Sequence, residues 1–461
     1  MNVVEQIKRF IEPKSVAIFG VSRSAEVHSR SILQNLLDYG YQGRIYPVNP
    51  NATEILGVKA YPRVAEISDG IDVAVINLPR TVVPGVVKEC IEHGVQSIVI
   101  STQGFSDAVD DEGKQLQREI DKLIKNNGVR ILGPNSLGTA NAFINFSSSF
   151  AKVNFTRQPI GVICQTGAFF FKQSGSAIMG KGLDLGNASD IDFTDGLEYY
   201  EQDDEIKVVA LHIEGVRDGK GFVEAASRVA RRKPVVALKT GRSAYAAGVI
   251  QSHTGSLAGK DEVWEAALKT SGVIRANDID EFCDLAWAFS SLPLMKGKKI
   301  GILSISGGLG VASIDACHQY NLELAEFSPA TMERIRAMSP SWLGVGNPMD
   351  LWPPFMVMKQ PLNKLLTDAL GTVFSDAGVD AVLLVWEVWI PQVEAQICQL
   401  LPKMAEAYPD KPLVCSLFGA YAEGAKRRLQ QSGRVMITDS PEKAVRVLGR
   451  LAQYSAFRGD F

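Results

Sequence analysis

Short runs of β-branched and other apolar residues recur along the chain, each followed by a longer amphipathic stretch. In the first third the runs are residues 15–19, 72–78, 97–101 and 130–132, and the intervening segments 31–38 and 83–93 are long enough for helices. A second set begins at Pro159 (161–164, 207–213, 234–239), and a third at Lys298 (299–305, 381–386, 412–417, 435–437). Strand-then-helix alternation of this kind predicts parallel sheets joined by crossover helices. Two stretches read as joints: 141–159, polar and rich in Ser and Phe, and 292–298, with Pro293, Lys296, Gly297 and Lys298. Three α/β domains are therefore expected, at 1–140, 155–292 and 297–461.

The second and third sets open alike. Gly161-Val162-Ile163-Cys164-Gln165-Thr166-Gly167 and Gly301-Ile302-Leu303-Ser304-Ile305-Ser306-Gly307 share a frame of glycine, apolar strand, Ser/Thr-Gly turn and expected helix. Such a turn delivers free N–H groups and the positive end of a helix dipole to the carboxyl edge of a sheet, where anions and ligands bind. One turn of this type is needed for tight packing in any case. The pair, Thr166-Gly167 with Ser306-Gly307-Gly308, suggests two helix starts sharing one phosphoryl group.

In the first domain, strand 15–19 runs into Gly20-Val21-Ser22-Arg23-Ser24. A dinucleotide fold would place three glycines here, and only Gly20 is present, which counts against NAD. Ser22, Arg23 and Ser24 instead offer hydrogen bonds and charge to a phosphorylated ligand. Four more turns follow strands: Pro47-Val48-Asn49-Pro50-Asn51, Asn77-Leu78-Pro79-Arg80, Ser101-Thr102-Gln103-Gly104-Phe105 and Gly133-Pro134-Asn135-Ser136-Leu137-Gly138. All should converge on one crevice at the carboxyl edge.

Of five histidines, His93 and His318 fall on expected helices, His212 lies within an apolar strand and His28 opens a helix; these four read as structural. His253 differs. It sits in Gln251-Ser252-His253-Thr254-Gly255-Ser256-Leu257-Ala258-Gly259, a small, polar, glycine-rich loop between a strand and the helix expected over 261–269. A neutral imidazole on such a loop is available as nucleophile or base near neutral pH. Phosphoryl transfer to it needs mainly positioning and neutralised charge. Glu214, ending strand 207–213, is the favoured carboxylate to orient the ring, ahead of Asp190 and Asp192, which read first as turn or cap residues.

Composition narrows the classes. With 48 Lys+Arg against 51 Asp+Glu, a net charge of -3, there is no basic surplus for nucleic acid. No run of about 18 apolar residues suggests a membrane span, and the N-terminus has no signal-peptide core. The six cysteines are scattered without a C-x-x-C pair, so neither a metal site nor a disulfide framework is expected. A cytoplasmic location is the expectation these features leave.

Five segments carry a resemblance over the whole chain. They are Pro13-Lys14-Ser15-Val16-Ala17-Ile18-Phe19-Gly20, Tyr46-Pro47-Val48-Asn49-Pro50, Gly133-Pro134-Asn135-Ser136-Leu137-Gly138, Ser252-His253-Thr254-Gly255-Ser256-Leu257-Ala258-Gly259 and Gly346-Asn347-Pro348-Met349-Asp350. In this order they resemble the alpha subunit of the NDP-forming acyl-CoA synthetases, the ADP-forming acetyl-CoA synthetase group related to succinyl-CoA synthetase. The resemblance implies a Rossmann-like CoA-binding domain followed by two flavodoxin-like ligase domains. It implies that His253 carries phosphate with Glu214 as its partner carboxylate, and that Thr166, Gly167, Ser306, Gly307 and Gly308 form the phosphate-facing turns. Gly20, Ser22, Arg23, Ser24, Asn51, Ser101, Thr102, Gln103, Asn135 and Ser136 would lie near CoA, and Phe171 near the acyl group, favouring an apolar or aromatic acyl chain. ADP or ATP and Mg2+ would sit on a separate ATP-grasp beta subunit, making the assembly a hetero-oligomer. Two departures stand out: Ser136 replaces the family's frequent cysteine, and Phe169-Phe170-Phe171 replaces small residues. They keep a non-catalytic CoA-binding paralogue as the alternative to the enzyme, with an NAD-dependent oxidoreductase third.

Overall fold

The structure is a computed structural model and describes residues 2–21, 31–153, 156–170, 178–243, 245–246 and 259–461. The chain divides into two compact units, Met1–Ala286 and Trp287–Phe461.

The first unit holds two main sheets. In the first, β1 (Ser15–Phe19), β2 (Arg44–Val48), β5 (Val73–Ile76), β6 (Ser97–Ile100) and β7 (Arg130–Leu132) are all parallel, in the order β2-β1-β5-β6-β7. A small hairpin, β3 (Glu54–Ile55) with β4 (Val58–Lys59), follows β2. Strands β1, β5 and β6 are buried at every position. Their residues alternate between two cores, as the two-residue strand period requires. Val16, Ile18, Val73, Val75 and Val99 join one, and Ala17, Phe19, Ala74, Ile76, Ile98 and Ile100 the other. Pro47 sits in β2, the edge strand, where its missing N–H is tolerated.

The second sheet of this unit runs β14 (Ile274–Ala276), β13 (Val235–Lys239), β12 (Val208–Ile213), β10 (Ile160–Cys164), β11 (Lys181–Asp184), β8 (Gly138–Asn141) and β9 (Phe146–Ser147). The first five are parallel, and β8 and β9 add as antiparallel strands beside β11. The segment 141–159, expected as a joint, thus supplies an edge strand. Helix Val3–Ile11 packs its buried face, Ile7, Phe10 and Ile11, into the core that both sheets share. Its last carbonyls accept hydrogen bonds from Thr139 (2.7 Å) and Asn141 (3.1 Å).

The second unit has one parallel sheet, with β16 (Glu323–Leu324), β15 (Lys299–Ser304), β18 (Ala381–Glu387), β19 (Leu413–Phe418) and β20 (Met436–Thr438) in that order and β17 (Met349–Asp350) also paired to β15. The Gly346-Asn347-Pro348-Met349-Asp350 motif has a structural explanation here. Asn347 takes the N–H of Ile302 at 3.0 Å and donates to the carbonyls of Ile300 and Ala325, closing the gap beside β15. Among the described residues no helix is long and apolar enough to cross a membrane.

Candidate functional site

The carboxyl ends of the two sheets in the first unit face one cavity of about 590 Å³. Asn77 and Leu78 after β5, Ser101, Thr102 and Gln103 after β6, and Asn135, Ser136 and Leu137 after β7 form one side. Thr166, Gly167 and Ala168 after β10, together with Asp184 at the end of β11 and Phe150, form the other. Three of the four expected turns therefore converge. The turn at 47–51 does not line the cavity: Asn49 holds it by accepting the Asn51 N–H and donating to the Val21 carbonyl at 3.1 Å, and Asn51 itself is exposed.

Each wall has a local reason for its shape. Gly20 ends β1 at positive φ, and a Cβ there would collide with the Asn77 carbonyl, so only glycine lets the two strand ends approach. Thr102 donates to the Leu78 carbonyl at 2.7 Å, tying the second turn to the first. Ser101 is buried, and its Oγ has no hydrogen-bond partner among the described residues. A buried hydroxyl left this way on a cavity wall is one that a ligand can satisfy. Asn135 lies at φ 60°, and its N–H donates to the Thr102 carbonyl. The Ser136 hydroxyl is already committed, donating to the Asp184 carbonyl and accepting from the Gly138 N–H.

On the other wall, Thr166 accepts the Ala168 N–H through Oγ1 at 3.3 Å, and residues 167–170 form a 3-10 turn; the rest of the segment where a helix is expected, 171–177, lies outside the described residues. In the second unit, Ser306 caps helix Gly307–Gln319 by accepting the Leu309 N–H, and Gly307 and Gly308 are exposed at its start. His253, Ser22, Arg23, Ser24 and Phe171 lie outside the described residues.

Glu214 follows β12, and its backbone is held from two directions. Gln165 Oε1 accepts the N–H groups of Glu214 (2.8 Å) and Gly215 (3.0 Å), and Lys239 Nζ donates to the Glu214 carbonyl at 2.9 Å. Burial lowers the Lys239 pKa to about 8, with the neighbouring Asp261 pulling it the other way. The rival carboxylates are structural. Asp190 pairs with Arg130 at 3.0 Å and accepts the Ile131 N–H, while Asp192 caps helix Phe193–Gln202 in a capping box with Asp195. His212 is a buried strand histidine beside Phe169, and burial lowers its pKa to about 4. His93 and His318 lie at the end of one helix and within another.

One residue that the sequence reading missed is Asp184. Lys181-Gly182-Leu183-Asp184 has charged ends and a glycine, so it does not look like a buried strand, although the apolar Leu183 and Leu185 and the following Gly186 mark a strand end. Asp184 is 1% exposed. Burial pushes its pKa up to about 7, with the N–H groups of Leu137 and Gly186 opposing the rise and the charge of Glu214 adding to it. All six cysteines are free, and no three His, Cys, Asp or Glu side chains cluster as a metal set among the described residues.

Residues 14–142 match the family described as CoA binding domain, and 157–289 the one described as succinyl-CoA ligase like flavodoxin domain. The ADP-forming acetate–CoA ligase of Methanocaldococcus jannaschii is 35% identical over 459 residues, which are 98% of this chain and 64% of that protein. This chain thus spans just under two thirds of that relative. The alpha subunit of ADP-forming acetate–CoA ligase I from Pyrococcus furiosus is 33% identical and aligned over 98% of both chains. A solved structure of the dinucleotide-forming acetyl-coenzyme A synthetase 1 of Ca. Korarchaeum cryptofilum, in complex with phosphate and ADP, superposes with a TM-score of 0.89 at 28% identity, covering 98% of each chain. The fold, the two matched domains and the full-length likeness to an alpha subunit agree: the chain belongs to the family of ADP-forming acetate–CoA ligases.

Proposed function

We propose that this chain is the CoA-binding and phosphoryl-relay part of an ADP-forming acyl-CoA ligase, converting acyl-CoA, phosphate and ADP reversibly to acid, CoA and ATP. The observation that carries the reading is the cavity shared by the CoA-binding-like and ligase-like segments, with Thr166-Gly167 on one wall and Asn135 and the unpartnered Ser101 on the other. CoA would enter along Ser101, Thr102, Gln103 and Asn135, with Ser22, Arg23 and Ser24 at its phosphates. Gly20 shapes that rim, and Ser136 supports it through its backbone. A phosphate oxygen attacks the thioester carbonyl, the C–S bond breaks, and CoA leaves as thiolate that takes up a proton. A His253 nitrogen then attacks phosphorus, and the acid departs as carboxylate. Finally an ADP oxygen takes the phosphoryl group from His253. Glu214, clamped by Gln165 and Lys239, is the carboxylate that orients His253. The turn at Thr166-Gly167 supplies N–H groups to the phosphoryl oxygens, and Ser306, Gly307 and Gly308 open the corresponding helix of the second unit.

Leu78, Leu137, Phe150 and Ala168 in the wall favour an apolar acyl group, with Phe171 adding a ring. ADP and Mg2+ belong to an ATP-grasp beta partner. Relatives named as alpha subunits and longer single-chain relatives both fit a second part that completes the reaction. The domain division 1–140, 155–292 and 297–461 assigns CoA binding to the first and the phosphohistidine loop to the second.

The test is phosphate transfer. Incubation with acetyl-CoA and labelled phosphate should give acid-labile label on the chain, abolished by His253→Ala. Equal labelling of that variant sinks the assignment.

A further inference from the structure

The end of β11 holds a group that the relay does not use. Asp184 lines the cavity and is almost fully buried, and no Lys, Arg or His bonds to its carboxyl among the described residues. Oδ2 accepts the Leu137 N–H at 2.6 Å, while Oδ1 has only the Gly186 N–H at 3.4 Å and the Cys164 thiol at 3.9 Å. The surrounding elements bring little that could compensate a charge. β10 contributes Cys164, whose own ionisation burial suppresses; the end of β12 contributes Glu214, of like charge; the turn at 133–138 contributes backbone and Ser136 only. Asp107, after β6, is engaged with Asn187 at 2.7 Å.

We infer that Asp184 acts in its acid form, donating its O–H to an oxygen of the ligand in the cavity, so that an anionic ligand is taken up together with a proton. The inference rests on the reading of this cavity as the acyl-CoA and phosphate site. It follows from hydrogen-bond accounting. A protonated carboxyl has one donor, Leu137 and Gly186 present only N–H donors to it, the Cys164 sulfur at 3.9 Å is a distant and weak acceptor, and the remaining direction is the cavity. An ionised Asp184 would instead repel the ligand's charge in a desolvated space. Its position near the middle of the pH range, set by burial, makes the exchange available at neutral pH. The proton comes from solvent, no covalent bond between heavy atoms changes, and it returns when the ligand leaves. Asp184 is thus a ligand-binding residue whose protonation gates occupancy.

Acetyl-CoA binding to the full chain, measured by calorimetry between pH 7.5 and 8.5, tests this. Over that range the charge of acetyl-CoA hardly changes. The native protein should lose about tenfold in affinity per pH unit, and titration in buffers of different ionisation enthalpy should show uptake approaching one proton per acetyl-CoA. Asp184→Asn, which carries a permanent donor, should bind with a flat pH profile. Equal pH dependence in both proteins overturns the inference and leaves the CoA reading standing. Zero proton uptake by the native protein overturns it without recourse to a variant. No acetyl-CoA binding by either protein at any pH sinks the CoA reading and this inference with it.

Discussion

Strand β11 is four residues long, and its two ends treat buried charge in opposite ways. At the amino end Lys181 is 0% exposed and completely partnered: Asp203 and Glu205 at 2.7 Å, Glu12 at 2.9 Å and the Tyr199 hydroxyl at 3.2 Å. Burial alone would lower its pKa, but hydrogen bonds to Asp203, Glu205 and Glu12 outweigh that and hold it above the ordinary lysine value. At the carboxyl end Asp184 is equally buried and pairs with no cation among the described residues. The contrast separates a structural charge from a functional one. A charge kept for the fold is neutralised by groups the fold itself supplies, and here the network also fastens the chain just after helix Val3–Ile11 to the second sheet. A charge kept for a ligand is left incomplete at the edge where ligands bind.

The strongest way to break the comparison is at the closed end. Lys181→Ala strands three carboxylates, one of them nearly buried, around a cavity. Loss of one partner from a buried ion cluster costs about 3–5 kcal/mol. Urea unfolding at neutral pH should show a loss of that size in the first unit. A change below about 1 kcal/mol would mean that the cluster is not an anchor.

At the open end the sign reverses. The folded pKa of Asp184, about 7, lies above the unfolded value of about 3.9. Below pH 4 the carboxyl is neutral in both states and costs nothing. Between pH 4 and 7 the unfolded chain ionises while the folded one holds its proton, so stability falls as pH rises. Above pH 7 the loss levels off, at most on the order of 4 kcal/mol. Asp184→Asn removes this dependence but sacrifices one acceptor, so the variant should be about 1–3 kcal/mol more stable than the native protein at pH 8, with no gain at pH 4. A pH-independent difference would remove the distinction between the two ends.

A third variant joins the open end to Glu214. Gln165→Leu leaves the N–H groups of Glu214 and Gly215 without their acceptor. The expected cost is about 2 kcal/mol, with a larger fractional loss of phosphate labelling than of acetyl-CoA affinity. If both fall together, Gln165 supports the fold and not the carboxylate.

The same contrast explains what could be read from the chain alone. Strands β1, β5, β6, β12, β13 and β18 are buried along nearly all their length, so continuous apolar runs betray them. The turns that line the cavity were legible because they must follow those strands. β11 was not, because its two ends carry buried charges with opposite duties and leave one large apolar residue, Leu183, between them. Phe150 was missed for a different reason: it reaches the cavity from the polar segment after β9, where no periodicity marks it. How Asp190 and Asp192 are used could not be read from the chain, since only partners remote in sequence, Arg130 above all, reveal it.

The smallest expected effect sharpens where the open end stops. Ser101 and Asn51 both belong to turns after strands of the first sheet, yet only Ser101 lines the cavity, with a buried Oγ that no group among the described residues satisfies. Asn51 is exposed, and its backbone N–H is held by Asn49. Removing one ligand hydrogen bond costs about 1 kcal/mol, so Ser101→Ala should weaken acetyl-CoA binding roughly fivefold. Asn51→Ala should change it by less than about twofold, the ordinary range for an exposed substitution. Equal losses would extend the ligand beyond the cavity, across the edge strand β2, and would make the turn at 47–51 part of the site. A loss at Ser101 alone confines the unpaired chemistry to the walls that Asp184 shares.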